Sequence, residues 1–423
     1  METTHSRWRA RRLAGALAAP LLMAGALAGL GPAGGVLAAS CQPLTGVQPP
    51  SPGSQDNQLN SVAVLSACNA WAVGSRSDAA NTDQTLIEHW NGTAWQVVPS
   101  PNPSASFAEL FGVRAHTATD IWAVGEYAPS AGARDKTLIL HWDGHTWKQV
   151  ASPSPGGVDN ELSGVRAVSA TDAWAVGTAF TKTGEQPLIL RWDGQAWKRV
   201  PSPDPGGASV LTGVAATSAS NAWAVGQSGE VAGPRQGPGR LVRGPGARLA
   251  AARQRASSAA TGNPTLILHW DGHSWKRVPS PSPGTGFNEL SAVGVTSATR
   301  AWAVGTIGTG NRDQTLILRW DGHSWKRVAS PNPGGSGADN VLSGVTGPAT
   351  NAAWAVGVTS HGSTEQTLIL HWNGHSWQKV TSPDVGTSRN ALFAVAASSP
   401  SNVWSVGLFG NGGADQALAV HCC

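Results

Sequence analysis

Trp-Ala-Val-Gly occurs six times in this chain and Trp-Ser-Val-Gly once, roughly fifty residues apart. The tryptophans are Trp71, Trp122, Trp174, Trp223, Trp302, Trp354 and Trp404. A second motif, His/Arg-Trp-Asp/Asn-Gly-x-x-Trp, follows six of them. Together the two motifs account for nineteen of the twenty tryptophans, leaving only Trp8. Self-similarity at a fixed period means one supersecondary unit, stacked so that each unit buries its apolar face against the next. The repeat therefore settles the architecture before any single residue is read, and it says much less about a ligand.

In the unit from Glu161 to Gly207, four short apolar runs are separated by turn chemistry. Leu162-Ser-Gly-Val165 is the first, and Ser169-Ala-Thr-Asp172 turns the chain. Ala173-Trp-Ala-Val-Gly177 is the second, and Leu188-Ile-Leu190 leads a third to Trp192. Asp193-Gly194 is a strong hairpin signal, read here as a two-residue turn. Trp197-Lys-Arg-Val200 is the fourth run, stopped by Pro201-Ser-Pro-Asp-Pro205. Four short strands per unit, without helical periodicity, describe a propeller blade.

The first strand repeats Leu-x-small-Val, with Ser61, Gly112, Gly164, Gly213, Ala292, Gly344 or Ala394 as the small residue. Blades converge on an axis, so this strand is placed innermost. A two-residue turn in the second unit sets Trp142 opposite His145 and Leu140 opposite Trp147. Leu140, Trp142 and Trp147 then share one blade face. Trp142, Trp147 and the seven tryptophans of the first motif are expected to form inter-blade core. Each removes roughly 150–250 Å² from water, worth about 4–6 kcal/mol at about 25 cal/mol per Å².

Seven first strands predict an all-β, seven-bladed β-propeller of four-stranded antiparallel blades, spanning 41–423. The seventh unit reaches a third strand at Asp415–His421 and then stops. Val47-Gln-Pro-Pro-Ser-Pro-Gly53 matches Val150-Ala-Ser-Pro-Ser-Pro-Gly156. The N-terminal strand around Leu44–Val47 is thus expected to complete the last blade, leaving no unpaired edge. The same register puts Cys41 in the place of Gly144, and Cys422 and Cys423 in those of Trp142 and Asp143. A disulfide from Cys41 to Cys423 or Cys422 is expected, with Cys41–Cys68 as the competing pairing. Cys68 stands in a first-to-second-strand turn, where it reads as a small or free thiol.

Residues 1–40 read as a signal peptide. Arg7, Arg9, Arg11 and Arg12 precede an Ala/Leu/Gly-rich run, and Val36-Leu37-Ala38 or Ala38-Ala39-Ser40 suits cleavage. Arg11-Arg12 is compatible with a twin-arginine route. The expected location is secreted or cell-envelope, without a membrane span. Residues 228–262 are Gly-, Arg-, Pro- and Ala-rich and read as a disordered insertion within the fourth blade. The formal net charge of +4 comes from these two regions. Four of the 29 Lys+Arg lie in the signal and six in the insertion, with Glu2 and Glu230 their only acids. The rest carries 19 basic and 23 acidic residues. A nucleic-acid partner therefore lacks electrostatic support.

The unit resembles a kelch-type β-propeller. The shared features are a glycine ending the second strand (Gly74, Gly125), an aromatic before the third-strand turn (Trp142) and a tryptophan opening the fourth strand (Trp147). Kelch units carry a glycine pair where this chain has Val-Gly. The Asp-Gly-x-x-Trp turn is similar to the Asp-box of sialidase-like propellers, one residue short. The resemblance implies the fold and no single activity. Kelch-type copper oxidases need tyrosine ligands, and Tyr127 is the one tyrosine here. The sialidase set of a tyrosine nucleophile, acidic partner and three arginines does not assemble.

His141/His145, His269/His273 and His371/His375 have a spacing that suits a metal on a helix. On a hairpin the two members of each pair fall on opposite faces, so no metal site is expected. Asp83, Asp135, Glu185, Asp313, Glu365 and Asp415 recur before the third strand, away from the axis, and read as loop caps. No catalytic constellation and no cofactor is expected. Second-to-third and fourth-to-first connections share one face of a meander and vary between units. The leading expectation is a monomeric binding or scaffold propeller, recognising a glycan or protein through this variable-loop face. The alternatives are a carbohydrate-active hydrolase or lyase with a site over the axis, and a structural envelope protein.

Overall fold

The computed structural model describes residues 44–104, 106–229, 263–310 and 312–422. Strand β1 (Thr45–Val47) precedes the first blade of β2 (Asn57–Ser66), β3 (Asn69–Ser77), β4 (Asp83–Trp90) and β5 (Trp95–Val97). The second blade is β6 (Phe107–Thr117), β7 (Asp120–Ala128), β8 (Lys136–Trp142) and β9 (Trp147–Gln149). The third is β10 (Asn160–Ser169), β11 (Asp172–Thr181), β12 (Gly184–Trp192) and β13 (Trp197–Arg199). The fourth is β14 (Ala208–Ser218), β15 (Asn221–Gly229), β16 (Thr265–Trp270) and β17 (Trp275–Arg277). The fifth is β18 (Asn288–Ser297), β19 (Arg300–Thr309), β20 (Arg312–Trp320) and β21 (Trp325–Val328). The sixth is β22 (Asp339–Ala349), β23 (Ala352–His361), β24 (Thr364–Trp372) and β25 (Trp377–Val380). The seventh has β26 (Arg389–Ser399), β27 (Asn402–Gly410) and β28 (Gln416–Cys422), with β1 as its outer strand.

The seven four-stranded antiparallel sheets form a ring in which each innermost strand touches the next, β26 touching β2. The small residues of those strands set the spacing. A Cβ on Gly112 would lie 3.2 Å from Gly164 Cα, and one on Gly213 would lie 3.2 Å from Ala292 Cα. Each first strand also bulges after its leucine, as between Leu110 and Gly112. The bulge carries the Glu109 carbonyl over Gly125, where a Cβ would sit 1.9 Å from that oxygen. This explains why every second strand carries a glycine after valine.

The core lies between blades. Trp122 (1 % exposed) packs on Trp192 and Trp197 of the next blade, with ring centroids 5.0 and 5.1 Å away. Trp71 meets Trp142 and Trp147 in the same way, and Trp404 meets Trp90 and Trp95 across the closing seam. Trp174, Trp223 and Trp302 repeat the arrangement. The fourth-strand ring stands edge-on, at 86° for Trp122 and Trp197, an arrangement that suits the aromatic quadrupole. Trp147 is buried and Trp142 partly buried.

The hairpin between third and fourth strands differs from the sequence expectation. Trp142 pairs with Trp147, and Leu140 with Gln149. The loop is therefore four residues, 143–146, rather than a two-residue turn. Asp143 Oδ1 accepts the amides of His145 and Thr146 at 2.9 Å each, and Gly144 has φ +95°. This side-chain cap replaces the tight backbone turn. Leu140, Trp142 and Trp147 still share a face, because a slip of two residues preserves side-chain parity.

The ring closes as the sequence predicts. Thr45, Gly46 and Val47 pair with His421, Val420 and Ala419. Cys422 pairs with Val403, the place that Trp142 holds opposite Ile121. Bonds of the ordinary repeat are reproduced across the chain ends. Thr137 N donates to Ser154 Oγ (3.1 Å) in the second blade, and Ala417 N to Ser51 Oγ (3.0 Å) in the seventh. Cys422 is 1 % exposed. Cys41 and Cys423 lie outside the described residues. Cys68 is an exposed thiol without a disulfide partner among the described residues. The predicted signal peptide and residues 230–262 of the predicted insertion also lie outside the described residues. Ser228 and Gly229 belong to β15.

Candidate functional site

Two faces arise from the strand order. One carries the first-to-second-strand turns and the Asp/Asn-Gly hairpins, which are nearly identical from blade to blade. The other carries the second-to-third and fourth-to-first connections, which are not. The β11–β12 connection is residues 182–183, whereas β7–β8 needs 129–135 and β27–β28 needs 411–415.

The recurring acids lie on this variable face, where carboxylates of the neighbouring blade hold the backbone amides of three of them. Asp159 Oδ1 accepts the Asp135 amide (2.9 Å), and Asp339 Oδ1 accepts the Asp313 amide (3.0 Å). Asp56 Oδ1 accepts the Asp415 amide (2.8 Å) across the seam. Arg389 bridges Glu365 and Asp415. Burial pushes the Asp415 carboxyl up to about 6, with Arg389 pulling the other way and Asp56 and Glu365 adding to the rise. At these three joins the recurring acid gives its backbone amide, and the carboxylate that accepts it belongs to the next blade, at or just before its first strand (Asp56, Asp159 or Asp339).

The histidines near the end of the third strand bond or stack within their own blade. His141 Nε2 bonds Asp120 Oδ1 at 2.8 Å, and its ring lies 4.2 Å from Trp122. His269 and His371 stack on Trp223 and Trp354. Arg191 takes the same place over Trp174, 4.9 Å from its centroid, as a cation–π contact. His145, His273 and His375 lie on the hairpins, where their amides meet the Asp or Asn cap.

On the axis the innermost strands enclose a cavity of about 290 Å³. Its wall mixes apolar groups, among them Phe111 and Phe393, with polar ones such as Asn60, Ser163, Thr212 and Ser343. Among the described residues, Arg114 of β6 and Arg166 of β10 are its only charged lining residues. They hold equivalent places two residues after Gly112 and Gly164, on adjacent blades. The other blades have Ala63, Ala215, Gly294, Thr346 and Ala396 there. Both arginines keep partial contact with solvent, yet protein surrounds them closely, because the solvent they touch is confined in the channel. Burial, and then the like charge of Arg166, hold the Arg114 guanidinium down to about 9. Burial also lowers Arg166, whose Nε is buried without a hydrogen-bond partner among the described residues. At neutral pH both remain cations.

A second departure from the repeat lies in the first blade. Glu88 is fully buried where the other third strands have Leu140, Leu190, Leu268, Leu318, Leu370 or Val420. Both carboxyl oxygens lack hydrogen-bond partners among the described residues, and burial pushes the group up to about 8. Neither arginine nor Glu88 was singled out from the sequence. The available signal was a break in the repeat: a charge where sister units carry a small or aliphatic residue.

No helix among the described residues is long and apolar enough to cross a membrane. No protein-family model matches the chain, and no curated protein matches it in sequence. Solved structures share its shape. YCF48 bound to a D1 peptide is 14% identical, with a TM-score of 0.53, over 90% of this chain and 97% of that one. The GH74 xyloglucanase from Xanthomonas campestris is 12% identical, with a TM-score of 0.52, over 86% of this chain and 53% of that one. A PL25 ulvan lyase bound to a glucuronate–rhamnose sulfate unit is 9% identical, with a TM-score of 0.50, over 85% and 90%. At these identities the likeness is one of fold: the chain is similar to proteins with a propeller ring.

Proposed function

We propose that this is an exported, monomeric binding propeller of kelch-like units that recognises a protein or glycan through its variable-loop face. The observation that carries the reading is the contrast between the faces. One face repeats the same capped turns, and the other changes from blade to blade on a scaffold that does not change. Loop variation over a rigid ring alters recognition without disturbing the core. Asp56, Asp159 and Asp339 accept inter-blade amides and Glu365 and Asp415 share Arg389, which favours binding over hydrolysis at these carboxylates. YCF48, of similar fold, has been captured with a peptide, a precedent for peptide recognition by such a ring.

The test pairs glycan-array and pull-down assays with loop exchange. Replacing residues 129–134 by the short β11–β12 connection is expected to weaken partner capture at least tenfold. Substituting His145 or Gln195 on the hairpin face is expected to leave it unchanged. Loop-exchange variants that capture the partner as well as the original protein would remove the loop face from the account.

A further inference from the structure

The two arginines on the axis have no structural duty that the fold requires. Five of the seven blades complete the ring with Ala, Gly or Thr at that position. Placing two cations on neighbouring strands is unfavourable by itself, since like charges repel and confinement in a low-dielectric channel strengthens the repulsion. Among the described residues no carboxylate forms an ion pair with either and none lines the cavity. Arg166 Nε is buried without a partner among the described residues, and buried donors in native proteins are normally satisfied by protein, water or an ion. Low-dielectric walls also focus the field of the pair along the channel.

We propose that the axial channel binds a small dianion, of the phosphate or dicarboxylate class, clamped between Arg114 and Arg166. Two guanidinium groups offer planar donor forks that suit oxoanions, and two positive charges match two negative ones. The cavity of about 290 Å³ has room for a phosphate ester or a short diacid. Arg114 lies three residues before Thr117, where β6 ends at the hairpin face, so the clamp sits in the half of the channel nearer that mouth. The site is thus separate from the loop face, and the failure of either proposal leaves the other standing.

The test is isothermal titration of the full protein, at low ionic strength, with inorganic phosphate, glycerol phosphate, succinate and the monoanion acetate. At least one dianion is expected to bind with a Kd of about 1 mM or tighter, and acetate at least tenfold more weakly. Whichever dianion binds tightest identifies the class. Arg114→Ala and Arg166→Ala place in these blades the residue found at Ala63 and Ala215, so both variants are expected to fold. Each is expected to lose at least tenfold in affinity. Melting supplies the second readout. Without the anion each variant is expected to melt at or above the original protein, because a like-charge repulsion is gone. With the anion only the original protein is expected to shift upward. Failure of all three dianions to bind, or equal binding by both variants, overturns the proposal. So does a lower melting temperature in both variants with no anion-dependent shift in the original, which would make the arginines packing groups.

Discussion

At the scale of single residues, Glu88 is the most exposed to test. Its carboxyl is held up to about 8 from an ordinary 4.5 because the fold takes it out of water without a partner. A raised folded value means that the native state holds the proton more tightly than the unfolded chain. Stability is therefore full below about pH 4.5, falls as pH rises, and is lowest above about pH 8. The loss is roughly 4–5 kcal/mol if the whole shift is expressed. Glu88→Leu, matching Leu140, is expected to stabilise the protein at pH 9 by several kcal/mol and to flatten this dependence. Denaturant titrations at pH 5 and pH 9 check both. A second residue-scale expectation concerns Gly125. Its missing Cβ leaves room for the Glu109 carbonyl, so Gly125→Ala is expected to cost more than about 3 kcal/mol, measured in the same way. The glycine was legible in the sequence as a repeated letter, and the bulge gives its reason. Glu88, Arg114 and Arg166 were visible as breaks in the repeat. Their meaning was not, because only the closed ring places positions 114 and 166 around one axis and position 88 inside one seam.

At the scale of elements, the seams between blades hold the stability. Trp147→Ala removes a buried ring that touches Trp71 and Trp142, and is expected to cost about 3–5 kcal/mol in chemical denaturation. Trp142→Ala, at a partly buried site, is expected to cost less. Strand number and order were legible because apolar runs and turn residues alternate four times in every unit. Hairpin register was not. Asp143-Gly144 signals a turn but does not fix its length, which the Asp143 side chain sets by capping two amides. Pairing of Trp142 with Trp147 follows from that cap and from the contact of two tilted indoles 5.8 Å apart.

At the scale of the molecule, the ring depends on chain ends distant in sequence. β1 covers the edge of β28, and an uncovered edge invites pairing with another chain. A disulfide from Cys41 to Cys422 or Cys423, proposed as the clasp of this seam, would close almost the whole chain. It is expected to add about 2–5 kcal/mol, read as a lower melting temperature under reduction and as a crosslinked peptide in non-reducing maps. The closing match was legible from Val47–Gly53 and Val150–Gly156, because strand exchange leaves the repeat intact across the ends. The axial site was not, since a cavity belongs to the ring and to no unit. The most direct measurement is disulfide trapping at the seam with Gly46→Cys and Val420→Cys, whose Cα positions are paired. Peptide mapping of the oxidised protein is expected to join positions 46 and 420 within one monomeric chain. A crosslink only between chains, or none at those positions, would contradict the closed ring.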